Sequence, residues 1–377
     1  MVQLSPTTHR SLLEMEEVLR EIDASPPGNL AVTKDFASKR IGAFYDAARL
    51  QLLSTWARQS PRHLLQFHTA NTVNGVLEEW CDYAPGIVAL RLCEGISVGE
   101  EVVDRREALE PAAFKMLRTD SLDFEKLIKG RSLDFTCVSG AKIQYLRPLF
   151  HARDASSVKG KQEMFDLVQK LNSEVSQLDE FRVPKVFLEA CSVFASELIR
   201  NTQEHATKDC YGRPYIEHAE GFIISWTQLE GDSYEQDFQG HPRLREFWKR
   251  ETGAVRAEPL RSLQVSFFDT GPGIAGRATS RELSDITPAA EREALLRSLK
   301  KNASTKRETG AGNGYPEVLE RLRQVGGLMS IRTGRLRLFQ AFSPNEQRDL
   351  FAFDDWAEEL LAPATGTVVS IILPIRR

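Results

Sequence analysis

Glu197-Leu-Ile-Arg-Asn201-Thr-Gln-Glu-His205, Asp269-Thr-Gly271-Pro-Gly273-Ile274 and Gly310-Ala-Gly312-Asn313-Gly314-Tyr315 follow one another in this order, and their reading decides the fold. The first closes a helix predicted over residues 182–206. Its apolar stripe, running through Val183, Val186, Phe187, Ala190, Val193, Phe194 and Leu198, extends at i, i+3, i+4 spacing to Glu197, Asn201 and His205. A carboxylate, an amide and an imidazole are therefore expected on the face that enters the core. Burying such groups unpaired is expensive. Either each has a protein partner or the face looks into a polar ligand pocket.

The second motif follows a strand predicted over Leu263–Phe268. Glycines at 271 and 273 permit tight backbone geometry and close approach of a ligand. A carboxylate at the strand end can accept a hydrogen bond from an exocyclic amine such as that of adenine; a plain β-turn is the alternative. The third motif opens a helix predicted over 315–325, where backbone amides of a glycine-rich N-terminus suit phosphates. It is no dinucleotide fingerprint, since the preceding strand and the later strand-end acid are missing. Nor is it a Walker loop, which needs Gly-Lys-Ser/Thr.

Taken together, the three segments resemble the three boxes of the GHKL superfamily, the histidine-kinase-like ATPases with the Bergerat fold. The continuation Gly326-Gly327-Leu-Met-Ser-Ile-Arg-Thr and the closing Gly366-Thr367-Val-Val-Ser-Ile-Ile-Leu-Pro374 are also similar to that family's end. The resemblance implies ATP and Mg2+ as ligands. It makes Glu197 the general base and Asn201 the magnesium ligand, with His205 beside it. Asp269 reads adenine in a pocket shaped by Gly271, Gly273 and Ile274, with Thr367 supporting the carboxylate. Gly310, Gly312, Asn313, Gly314 and Tyr315 form the phosphate-wrapping box. A lid over 275–309 is implied, whose cations, Lys306 among them, cover the phosphates. Histidine kinases need a phosphoacceptor helix, and none of the histidines here has that context. His205 with Ala206 matches the anti-sigma serine-kinase branch. Gyrase-type members carry a second domain that delivers a lysine; none is expected after Leu373, so the expected activity is slow hydrolysis driving a lid and partner switch. A serine protein kinase and a non-hydrolysing nucleotide-gated module are the alternatives.

Outward from the motifs, the chain is expected to be α/β (α+β) with two domains. Residues 160–377 form a C-terminal two-layer α/β sandwich of the Bergerat type with a mixed sheet. Residues 1–152 form a smaller N-terminal α/β domain of regulatory or assembly role, and the polar run Arg153–Lys161 marks the boundary. In that first part, residues 9–22, 35–58 and 71–83 read as helices, while 63–68 and Ile87–Leu92 read as strands. The segments 230–260 and 334–362 read as insertions. A net charge of −4 gives no electrostatic reason to expect nucleic acid. Short basic clusters such as Arg335-Leu-Arg337 are read as solvated faces or local ligand contacts. Five cysteines without a C-x-x-C pair are read as reduced thiols. With no signal peptide or membrane span, a cytoplasmic protein with a protein partner or self-association is expected.

Overall fold

The computed structural model describes residues 3–5, 10–24, 28–59, 62–154, 157–177, 182–215, 217–253, 258–300 and 314–375. A five-stranded sheet runs in chain order through β1 (Gln3–Leu4), β2 (Leu30–Val32), β3 (Leu64–Phe67), β4 (Gly95–Val98) and β5 (Glu101–Asp104). Its first four strands are parallel, and β5 folds back antiparallel on β4. Helices α1 (Leu12–Ala24), α2 (Ala43–Gln59) and α3 (Ala84–Leu92) serve the crossovers that parallel pairing demands. The stretch expected as a strand at Ile87–Leu92 is thus α3. A short continuous apolar run reads equally as a buried helix, and Pro85 in its first turn favours one.

The second sheet has the order β11-β10-β9-β12-β8-β7-β6. Its strands are β6 (Ser132–Val138), β7 (Ala219–Leu229), β8 (Leu260–Asp269), β9 (Gly327–Gly334), β10 (Leu336–Phe342), β11 (Asp354–Asp355) and β12 (Ala364–Pro374). Every pairing in it is antiparallel, so the expected mixed sheet is corrected: the parallel strands belong to the other sheet. β10 lies within a stretch expected to be an insertion. β6 lies before the expected boundary at 153–161 yet forms the outer strand of the second sheet.

Helices α4 (Lys161–Ser176), α5 (Lys185–Asn201), α6 (Pro242–Thr252), α7 (Gly273–Thr279), α8 (Pro288–Leu299) and α9 (Gly314–Val325) complete the elements used below. The second sheet is covered on both faces, not on one as a two-layer sandwich would be. β6, β9 and β10 are buried at every position, the signature of a sheet with no solvated face. α5 lies on one side, where Phe194 meets Phe267 of β8 edge-on at 5.3 Å. On the other side α2 docks by its N-terminus. The Ala43 and Phe44 amides, orphan donors of a first helical turn, donate to Ser225 Oγ at 2.8 Å and Gln264 Oε1 at 3.1 Å.

The cluster Arg335-Leu-Arg337 is not a solvated face. Arg337 pairs with the buried Glu16, and Arg335 with the buried Glu291. That second pair ties α8, which lies within the expected lid, to the sheet: the Glu291 carboxylate accepts from Arg335 N at 2.7 Å and Nε at 2.8 Å. All five cysteines are buried free thiols. Among the described residues no helix is long and apolar enough to cross a membrane.

Candidate nucleotide site

α5 buries Phe187, Ala190, Val193 and Phe194 as the stripe predicts, but Val186 is 41% exposed and Leu198 only half-buried. Leu188, Cys191 and Ala195 complete the buried face instead. Glu197 and Asn201 are half-buried at its flank, neither sealed in the core nor turned to solvent. After Asn201 the helix widens into a π-turn over Thr202–Ala206, with the Thr207 amide donating to Thr202 O. Such turns recur at functional sites. The wider turn breaks the i, i+4 registration on which the placement of His205 rests, and the His205 side chain lies outside the described residues.

Strand register builds the rest. Thr333, Thr367, Asp269, Glu220 and Cys137 are direct partners across β9, β12, β8, β7 and β6, and so share one face of the sheet. Two residues further along comes Ile331, Val369, Phe267, Phe222 and Phe135 in the same strand order. Since Phe267 meets Phe194 of α5, both rows face that helix. The sheet thus delivers a polar row in front of an apolar floor. Between them and α5 lies a cavity of about 20 Å³, lined by Leu198, Ile199 and Thr202 above and by Glu220, Asp269 and Thr367 among the sheet residues below. That volume holds about one water. In this state it admits only the edge of a larger ligand.

Two glycines are required where the second motif turns. A Cβ on Gly271 would stand 2.7 Å from the Ala206 Cβ, so the turn approaches the end of the first motif as closely as only glycine allows. Gly273 sits at φ +75°, in the left-handed region. Ile274 is buried, and its amide donates to Thr333 Oγ1 at 3.2 Å; that hydroxyl donates to Gly366 O at 3.2 Å.

The carboxyls of this row are unlike ordinary surface acids. Burial pushes Asp269 up to about 6, against the Gly271 amide, the Arg277 cation and the Thr367 hydrogen bonds that favour its ionised form. Gly271 N donates to Asp269 Oδ1 at 2.9 Å. Glu220 is only 2% exposed, and burial together with the neighbouring Asp269 charge pushes it well above the usual carboxylate range. The Gln203 amide donates to Glu220 Oε1, while Glu220 Oε2 and Gln203 Oε1 have no partner among the described residues.

Tyr315, in the first turn of α9, ties the motifs together. Its ring meets Phe194 edge-on at 4.9 Å. Burial raises its hydroxyl above the ordinary value, with Arg277 opposing and the charges of Asp269 and Glu197 adding to the rise. Gly314 opens the same helix. Lys306, Gly310, Gly312 and Asn313 lie outside the described residues. Sequence reasoning missed Arg277, Glu220 and Thr333. Arg277 was discoverable as the first cation of the lid segment, whereas Glu220 and Thr333 become visible only through strand register.

A larger cavity of about 770 Å³ lies away from the motifs, bordered by Leu12, Asp237, Arg337 and Trp356 among others. No group of three or more His, Cys, Asp or Glu side chains is placed to hold a metal among the described residues. No protein-family model, curated protein or solved structure matches this chain.

Proposed function

We propose that this chain binds ATP with magnesium and hydrolyses it slowly, the nucleotide-bound state being read by a protein partner or a second copy. One observation carries the reading: the first two motifs meet each other and the described end of the third, Tyr315. Tyr315 rests on Phe194 and feels Arg277, Asp269 and Glu197, while Gly271 presses on Ala206. In this reading α4, α5 and α9 on the second sheet are a Bergerat-type layer, the antiparallel sheet notwithstanding.

Asp269 accepts from the exocyclic amine of adenine, held in place by the Gly271 amide and by Thr367. It accepts most strongly when ionised, so binding weakens as pH falls through about 6. The Asn201 side chain is half-buried and makes no hydrogen bond among the described residues, leaving its amide oxygen available as the hard donor magnesium prefers. When bound, the metal supplies neutralisation of phosphate charge. Glu197, one helical turn before Asn201, orients the attacking water and takes its proton. Arg277 places a cation beside Asp269 and Tyr315, where it screens the negative charge gathered there.

The test is Glu197→Ala, read by calorimetry with ATP and by phosphate release. Binding should survive while turnover falls by about 100-fold, the usual worth of a positioned base. Unchanged turnover removes Glu197 from that role. Labelled γ-phosphate recovered on protein instead of as free phosphate would make the chain a kinase, and tight binding with no release at all would make it a nucleotide-gated module.

A further inference from the structure

Glu220 is a buried acid that the proposed reaction does not use. It stands directly opposite Asp269 on the neighbouring strand, so the two carboxyls lie side by side on the face covered by α5. Both line the same cavity. The Gln203 amide holds Oε1 and fixes the orientation of the group, which leaves Oε2 buried without a partner. Buried polar atoms are nearly always satisfied, and an exception calls for an explanation. The described residues supply none: Glu220 stands between Cys137 and Asp269 in the row, and neither neighbour bonds to Oε2.

We infer that Glu220 is a second base-reading group of the Asp269 cavity, its Oε2 hydrogen-bonding the ring nitrogen beside the amino group that Asp269 accepts. The inference rests on the nucleotide reading above and adds to it a residue outside the three motifs. The chemistry is complementary. The edge of adenine offers an amino donor next to a ring-nitrogen acceptor. Asp269, the acid of the pair that ionises first, accepts from the amine. Burial and the neighbouring Asp269 charge both favour the protonated form of Glu220, and in that form Oε2 donates to the ring nitrogen. Each carboxyl needs the other: two ionised acids at this spacing would repel each other and leave the ring nitrogen without a donor.

The experiment is calorimetric titration of the full chain with ATP, with 1-deaza-ATP, in which that ring nitrogen is a C–H, and with GTP. The wild-type protein should bind ATP about 10-fold or more tightly than 1-deaza-ATP, the worth of one buried hydrogen bond. Glu220→Met keeps the length of the side chain and removes the donor, so ATP binding should fall by a similar factor and the two ligands should become equal. Glu220→Gln retains a donor and should keep most of the preference. The inference is overturned if the wild-type protein binds ATP and 1-deaza-ATP equally, a result that needs no variant to fold. It is also overturned if Glu220→Met keeps the full preference, or if GTP is preferred to ATP. Failure of ATP to bind at all brings down the nucleotide reading itself, which separates the two outcomes.

Discussion

The two faces of the seven-stranded sheet both bury charge, on opposite terms. On the face toward α1 and α2, Arg332 and Arg337 stand opposite each other on β9 and β10 and share Glu16. Burial alone would raise the Glu16 carboxyl, but the two guanidiniums outweigh it and hold it below its usual value. On the face toward α5, Asp269 and Glu220 stand opposite each other on β8 and β7, and burial pushes both upward. No ion pair joins Arg277 to either acid among the described residues. A buried set of opposite charges satisfies itself and is finished structure. Two like groups with a spare oxygen gain only from a donor or acceptor that the chain does not provide.

The contrast breaks most visibly at Glu16. Glu16→Ala leaves two guanidiniums buried side by side without the carboxylate that both pair with, and should destabilise the protein by about 3–5 kcal/mol. The check is a urea denaturation midpoint. Because the folded value of Glu16 is depressed, its contribution is present above its unfolded value near 4.5 and is lost as pH falls below it. The variant should therefore lose part of the acid limb of the stability profile. A loss under 1 kcal/mol would mean that the ion cluster is not what closes this face.

Asp269→Asn should do the reverse. The folded value is raised, so its contribution is complete below the unfolded value of 3.8 and is lost as pH rises through about 6. Removing the charge should stabilise the ligand-free protein at pH 7.5 by at most about 3 kcal/mol, reduced by solvent screening of a half-buried group. Stability should become flat between about pH 4 and 6, and ATP binding should disappear. Melting temperature followed across pH, with and without ATP, reads all three. A variant destabilised at pH 7.5 would place Asp269 with the structural charges of the other face.

How far the sequence discloses this contrast depends on which physical signal each residue leaves. Helical periodicity locates α5 with Glu197 and Asn201 on one face, and only the resemblance of the motifs brings Asp269 to the same site. β6 alternates apolar and polar residues although every position is buried, whereas Leu336–Phe342 carries no clean alternation, and β10 falls in the stretch that reads as an insertion. The apolar run of α3 carries no period of its own and was read as a strand. Arg335 and Arg337 looked like surface charges because their counter-ions, Glu291 and Glu16, are remote in sequence. Glu220 and Thr333 enter the site through cross-strand register alone, which a single sequence does not state. The π-turn after Asn201 left no signal that helical periodicity could register.

Between those faces, the second motif turn provides a steric test. Gly271→Ala would place its Cβ 2.7 Å from that of Ala206, with the Ala206 Cα and carbonyl oxygen nearly as close. Backbone cannot yield as a flexible side chain can, so the variant should lose about 2 kcal/mol. The displaced turn should also cost ATP affinity, since the Gly271 amide donates to Asp269. Full stability with normal binding would show that the first and second motifs are less tightly joined than their contact implies.

The smallest expected effect isolates the support behind the row. Thr333 Oγ1 accepts from the Ile274 amide, donates to Gly366 O and lies 3.3 Å from Thr367 Oγ1, all in a buried setting. Thr333→Val keeps the shape and β-branching but leaves the Ile274 amide and the Gly366 carbonyl without this partner. The expected loss is about 1–2 kcal/mol of stability. ATP affinity should fall only a few-fold, because Thr367 and Asp269 remain in register. Paired with Asp269→Asn, the variant separates holding the carboxylate from being the carboxylate. If Thr333→Val abolishes binding as completely as Asp269→Asn, then the hydroxyl row touches the ligand itself, and the boundary between scaffold and site moves one strand outward, to β9.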